Sequence, residues 1–202
     1  MLFDELAATA AAVGATRSRL AKVDVLAAFL RALAPDEIVP AVGLLLGRPR
    51  QGKVGVGWRS LAATLDDAAG APTLTIAEAD AAFTDLAEAS GSGSAARRAA
   101  ILGELMNAAT ERERDALRGA LLGEVRTGAL EGVLTDAIAR ASERPAAEVR
   151  RAAMLSGDLA STALVALTGT AEDLAGTGLV VGRAIQPMLA RTAPSISEAI
   201  AP

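Results

Sequence analysis

Apolar residues recur three and four positions apart along nearly the whole chain, as in Ile101, Leu102, Leu105 and in Leu130, Val133, Leu134, Ala137, Ile138. Strand-like alternation is rare. That spacing gives each of a succession of helices one apolar stripe, so the chain is expected to be all-α. Helix-start signals agree. Thr75-Ile-Ala-Glu78 and Thr110-Glu-Arg-Glu113 have capping-box spacing, in which hydroxyl and carboxylate satisfy otherwise orphaned backbone N–H groups. Pro35 and Pro145 suit the first turns of further helices. The pattern predicts helices near 2–13, 17–34, 36–46, 58–68, 76–89, 95–108, 111–122, 129–141, 145–155 and 158–168, with boundaries loose by ~2 to 4 residues. After about Leu174 the periodicity fades, and Leu179 to Pro202, with Pro187 and Pro194, reads as an extended tail. The expectation is a single multi-helix domain over 1–178, of about ten to twelve helices including helix-turn-helix-like pairs, followed by an extended linker over 179–202.

Composition narrows the chemistry. A chain of 202 residues that is 51% apolar can bury one generous core. With no Tyr, three Phe and the single Trp58, that core is built from Leu, Ala, Val and Ile, and an aromatic base-stacking platform is not expected. The absence of Cys and His excludes zinc fingers and Ser-His-Asp or Cys-His catalysis. The start, Met1-Leu2-Phe3-Asp4-Glu5, is acidic where a signal peptide is basic. The charge-free stretch between Asp158 and Glu172 is too short to cross a bilayer. A soluble, cytoplasmic protein without membrane contact is expected. The net charge of −4 taken as a sum argues against a nucleic-acid partner. Its distribution matters more. Cations cluster at Arg17, Arg19, Lys22; at Arg48, Arg50, Lys53; at Arg97, Arg98; and at Arg150, Arg151, while acids gather at Asp36-Glu37, Asp66-Asp67 and from Glu78 to Glu88. This permits one basic and one acidic face, or an ordinary solvated helix surface.

Three motifs suggest catalysis and fail on inspection. Gly47-Arg-Pro-Arg-Gln-Gly52-Lys53-Val54 has the glycine and lysine spacing of a P-loop, but Val54 lacks the magnesium-binding hydroxyl and a helical segment precedes it. It reads as a basic connecting loop. Lys22-Val23-Asp24-Val25 lacks the glycine of the Lys-x-Asp-Gly nucleotidyl-transfer motif and lies inside a helical pattern. Lys53, the only other lysine, is no better placed. The neighbours Asp36-Glu37 and Asp66-Asp67 point about 100° apart on a helix, which suits capping or solvation better than a paired acid and base.

Five fragments taken in order carry more information: Thr16-Arg-Ser-Arg19-Leu20; Ser90-Gly-Ser-Gly-Ser94-Ala-Ala-Arg97-Arg98; Gly123-Glu-Val-Arg126-Thr-Gly128-Ala-Leu-Glu-Gly-Val133; Arg151-Ala-Ala-Met154-Leu-Ser-Gly157-Asp158-Leu159; and Gly182-Arg-Ala-Ile-Gln-Pro187-Met188-Leu189-Ala190. Together they resemble the N-terminal DNA-binding domain of ATP-dependent DNA ligases, in the bacterial branch similar to the eukaryotic replicative enzymes. In such ligases a Pro-Met-Leu-Ala segment leads into the adenylation domain with its Lys-x-Asp-Gly nucleophile, and this sequence stops first. The resemblance implies that 179–202 is the linker towards that absent domain. It implies a module without catalysis or cofactor of its own, from a parent that seals nicks with ATP and Mg2+ in replication, repair or recombination. The expected partner is nicked double-stranded DNA, held by backbone and minor-groove contacts by a monomer.

The candidate contacts follow from residue chemistry. From Gly123 to Gly128 one helix ends and another begins, so freed N–H groups and a positive helix pole can face one phosphate, with Arg126 between the glycines. Equally, Gly123 is a helix C-cap and Arg126 merely solvated. The resemblance, which places DNA contacts at this turn, favours the phosphate. Arg19 and Lys22 share a helix face that Thr16 can cap, and Ser94 can cap the helix carrying Arg97 and Arg98. For Arg97 and Arg98, plain surface charge remains as good a reading as contact. Thr16, Arg19, Lys22, Ser94, Arg97, Arg98, Gly123, Arg126 and Gly128 are therefore the expected DNA-binding residues, and no base-reading element accompanies them. The rival reading is a helical adaptor that binds another protein through an apolar groove.

Overall fold

The computed structural model describes residues 1–62, 68–123 and 130–182. Among them run α1 (Phe3–Ala15), α2 (Arg19–Ala32), α3 (Pro35–Leu45), α4 (Trp58–Ala62), α5 (Ile76–Glu88), α6 (Ser94–Ala108), α7 (Glu111–Leu122), α8 (Leu130–Ala141), α9 (Ala146–Ser156), α10 (Leu159–Thr168) and α11 (Ala171–Ala175). The only extended pairing among the described residues is a bridge between Leu2 and Thr75. The expected all-α, single-domain class is what forms. Periodicity missed α11, because five residues are too few to show a 3.6-residue repeat. Residues 177–182 then leave the body without a helix and expose Leu179, Val180 and Val181. Most of the tail, 183–202, lies outside the described residues, as does Asp66-Asp67.

Both capping boxes form. The Thr75 hydroxyl accepts from the Glu78 N–H at 3.1 Å, and the Glu78 carboxylate accepts from the Thr75 hydroxyl at 2.7 Å and from its N–H at 2.8 Å, hydrogen bonds that hold its carboxyl below the usual range. Thr110 and Glu113 repeat the arrangement at the start of α7. Two expected caps are corrected. Ser18, not Thr16, caps α2 by accepting from the Ala21 N–H at 3.3 Å, since the first helical residue is Arg19. Thr16 closes α1 and accepts from the Ser18 N–H at 3.2 Å. Ser94 does not cap α6 either. Gly93, at φ +80°, turns the chain one residue earlier and makes Ser94 the first residue of the helix. Pro145 likewise precedes the first turn of α9 rather than entering it. Glu37 accepts from the Ala34 N–H at 3.0 Å, the capping role expected for that acidic pair.

One continuous core runs from Phe3 in α1 to Leu174 in α11. Its most extensive helix contact is between α2 and α8. α2 contributes Val23, Leu26, Ala27 and Leu30, and α8 contributes Val133, Leu134, Ala137 and Ile138, all buried. Ala27 and Ala137, both fully buried, are among the small residues of this part of the core. Polar ties fix the register of the two helices. The Arg19 guanidinium donates to Asp136 at 2.7 Å and to the Gly132 carbonyl at 3.2 Å, Arg140 pairs with Asp24, and Arg31 donates to the Arg140 carbonyl at 2.9 Å. Arg150 of α9 reaches the other oxygen of Asp136 at 2.7 Å. Partial burial opposes ionisation of Asp136, but hydrogen bonds and charge from both arginines outweigh it and hold its carboxyl below the ordinary value.

A carboxyl with a lowered native pKa stabilises the fold above the ordinary aspartate range, and that contribution is lost as pH falls through the native value. Asp136→Asn is expected to cost about 1 kcal/mol near neutrality, a modest figure because Arg19 and Arg150 are 58% and 60% exposed. The variant should also lose less stability than wild type on acidification below about pH 4. Chemical denaturation of both proteins across that range is the check.

Candidate nucleic-acid interface

The loop 47–57, between α3 and α4, is tied to the rest of the protein at several points. Gly43 in α3 lets the loop fold back, because a Cβ there would stand 2.9 Å from the Arg48 carbonyl oxygen. The Arg48 N–H in turn donates to the Gly43 carbonyl at 2.8 Å. Arg50 then grips Asp80 of α5, its Nε lying 2.9 and 2.8 Å from the two carboxylate oxygens. The Gln51 amide donates to Asp80 and to Thr84, and Val54 is buried. With Val54 buried and Gln51 and Arg50 held on α5, Arg48, Gly52 and Lys53 are left exposed.

A cleft of about 430 Å³ opens between this loop and the end of α7, lined by Arg48, Lys53, Val54, Gly55, Leu121 and Gly123. Gly123 ends α7 at φ +67°, a backbone conformation that favours glycine. Gly55 and Val56 also line a second hollow of about 290 Å³ bounded by Ser60, Ala95, Arg98 and Leu102. On the other side of Arg48 lies a small recess of about 100 Å³, formed with Glu131, Gly157 and Asp158. Arg48 pairs with Glu131 at 3.1 Å, and the carbonyl of the next residue, Gly132, accepts from Arg19. Arg19, Arg48, the cleft and Arg98 are thus joined by shared neighbours into one strip.

Among the expected residues, the structure brings Arg19, Arg98 and Gly123 into this strip. Arg19 is already committed to Asp136, but Arg150 shares that carboxylate, so the trio carries a net positive charge. Arg98 donates to the Leu86 carbonyl at 3.2 Å and lies against Gly55, whose added Cβ would stand 3.3 Å from the guanidinium. Lys22 lies one turn along α2 from Arg19, within the helix as its pattern predicts, and forms no ion pair among the described residues. Thr16 and Ser94 sit at helix ends without capping α2 and α6. Arg97 is not brought in. It shares a helix row with Ile101 and Glu104, which line a different groove together with the acidic Glu78 and Asp85. Arg126 and Gly128 lie outside the described residues, though the described residues on either side, Gly123 and Glu131, border the cleft and pair with Arg48.

Arg48 and Lys53 are the residues that motif reading passed over. Their loop fails as a P-loop, since α3 precedes it where a strand is required. A charge signal was nevertheless available. Between Glu37 and Asp66 there is no acidic residue, while Arg48, Arg50, Lys53 and Arg59 all fall in that interval. Among the described residues no group of three or more His, Cys, Asp or Glu is placed to hold a metal ion, and no helix is long and apolar enough to cross a membrane.

The described residues thus form an all-α protein with a glycine-lined cleft flanked by Arg48 and Lys53 and a neighbouring hollow bounded by Arg98. The chain is a member of the DNA ligase N-terminal family, whose family description, DNA ligase N terminus, is matched over residues 2–73 and 69–139. A probable DNA ligase of Pseudarthrobacter chlorophenolicus is 60% identical over 200 residues, which cover 99% of this chain and 39% of that protein. Those of Rhodococcus jostii and Mycobacterium marinum are 47% and 48% identical over 199 and 206 residues, covering 98% and 99% of this chain and 40% of each relative. The chain therefore spans about 40% of the length of the relatives it matches.

Because Gly43 is where the loop backbone touches α3, Gly43→Ala is expected to destabilise the fold by about 1 to 3 kcal/mol through overpacking. Gly14→Ala, where an added Cβ meets nothing within 4 Å, should be tolerated. Thermal melts of the two variants make the comparison.

Proposed function

We propose that this chain holds nicked duplex DNA without reading its sequence, as the DNA-binding module of an ATP-dependent DNA ligase. The observation that carries the reading is the convergence of the loop 47–57, Gly123, Arg19 and Arg48 around the start of α8. Phosphate recognition needs donors that can leave their resting partners cheaply. Arg48 and Glu131 are 66% and 42% exposed, and a pair so exposed is worth roughly 0–1 kcal/mol, so a phosphate can take the guanidinium from the carboxylate. Lys53 is exposed and forms no ion pair among the described residues. Glycines at 47, 52, 55 and 123 let a sugar-phosphate strand approach the backbone. Among the described residues no helix carries Asn, Gln and Arg arrayed for base edges, which favours shape-based holding through the backbone and minor groove.

In this reading the longer protein encircles its substrate, and a following domain, reached through 179–202, transfers AMP using ATP and Mg2+. The fragment itself needs no cofactor and acts as a monomer in the cytoplasm, on the nucleoid when bound. Nick sealing in replication, repair or recombination is the corresponding role of the whole enzyme.

Anisotropy titration with nicked duplex should give binding whose logarithm falls linearly with the logarithm of salt concentration. Absence of binding at low salt would overturn the reading. Arg126→Ala should weaken binding and reduce the magnitude of that slope by about one, as expected for one lost phosphate contact. Unchanged affinity and slope would remove Arg126 from the interface. With radiolabelled ATP and magnesium the chain should acquire no covalent adenylate, and label on Lys22 or Lys53 would contradict the division of labour.

A further inference from the structure

Trp58 is the chain's only tryptophan, and it stands 61% exposed. Its presentation is built. Val54 before it and Leu61 after it are 3% and 4% exposed, so both ends of the short segment are anchored in the core. The Gly57 carbonyl accepts from the N–H groups of Ser60 and Leu61 at 3.0 and 3.2 Å, fixing the backbone at Trp58. An indole left in water forgoes the large burial that usually keeps the ring inside, so its exposure calls for a partner. The surroundings indicate which. Exposed Lys53 and Arg59 flank it in sequence, neither forms an ion pair among the described residues, and the acid-free interval from 38 to 65 surrounds it. An exposed ring next in sequence to Arg59, and five residues from the Lys53 that lines the cleft, suits an anionic polymer with flat faces, since nucleobases stack on aromatic rings while cations hold the phosphates. In intact duplex both faces of a base are covered by neighbours. A free face appears where one strand is interrupted.

We propose that Trp58 stacks on a nucleobase bared at a strand interruption, so that the loop 47–57 and Gly123 hold the backbone while the indole distinguishes broken from continuous duplex. This rests on the DNA-binding reading above. The scarcity of aromatic residues rules out a platform of several rings, and this assignment needs only one.

Because no other tryptophan contributes, intrinsic emission reports Trp58 alone. The 202-residue chain is titrated with intact duplex and with duplex carrying a one-nucleotide gap, while the anisotropy of the labelled DNA is followed in parallel. Gapped DNA should quench and shift the emission more than intact DNA does. Trp58→Ala should bind gapped DNA roughly fivefold or more weakly, leave intact-duplex affinity unchanged, and melt as wild type does, whereas Trp58→Phe should retain most of the preference. Rising anisotropy with unchanged emission, equal quenching by the two duplexes, or undiminished gap affinity in Trp58→Ala would overturn the assignment while leaving the DNA-binding reading in place. The first of these results would leave the indole as a surface for protein contact. No anisotropy change with either duplex would instead remove the DNA-binding reading, and this inference with it.

Discussion

Helices α2 and α8 lie more than a hundred residues apart in the chain and side by side in the fold, and much else is positioned by that contact. Buried apolar residues supply the attraction, but they would tolerate sliding by a turn. Register comes from the polar ties at the edges, where Arg19 meets Gly132 and Asp136, Asp24 meets Arg140, and Arg31 meets the carbonyl of Arg140. With α8 so placed, its first turn meets Arg48 and the recess beside Gly157, while α9 reaches the same Asp136 through Arg150. The strip of cations beside the cleft is a consequence of helix packing. No local motif produces it.

Stability and binding make different demands on the same arginines. A guanidinium buried like that of Arg114, which donates to the Met106 carbonyl at 2.8 Å, is fixed in the fold. Arg48 is paired at the surface instead, where water screens the attraction and an incoming anion can replace the carboxylate at little cost. Such pairing also hides the charge. The net of −4 conceals a cationic strip because Glu131 and Asp136 neutralise part of it in the resting protein, while acids such as Glu78, Asp85 and Glu104 gather around a separate groove. Total charge is therefore a weak guide to the partner of this chain, and the arrangement of exposed pairs a better one.

Helix class, the two threonine capping boxes and the glycine ending α7 were legible in sequence, since each depends on residues within about one turn of one another. Thr16 and Ser94 were misassigned as caps because capping depends on which residue is the first helical one, and serine or threonine lies at several nearby positions. In each case the true cap, Ser18 or Gly93, is one or two residues from the expected one. Arg97 and Arg98 looked equivalent in sequence. The 100° between successive helical residues puts Arg98 on the hollow next to the cleft and Arg97 on the helix row of Ile101 and Glu104, which line the acidic groove. Arg48 and Lys53 drew attention as a failed nucleotide motif, and their part in the strip depends on Gly43 and Asp80 folding the loop back.

Sequence alone thus determined the helical class, most of the helices, the lack of Cys and His, and, through five ordered fragments, the family. Those properties reside in residue identity and short-range spacing. Tertiary structure alone decided which cations share a surface, which are already paired, and where the single indole stands, because each of these depends on contacts between residues distant in the chain. A linear pattern carries no register between helices, so only the packed core could settle them.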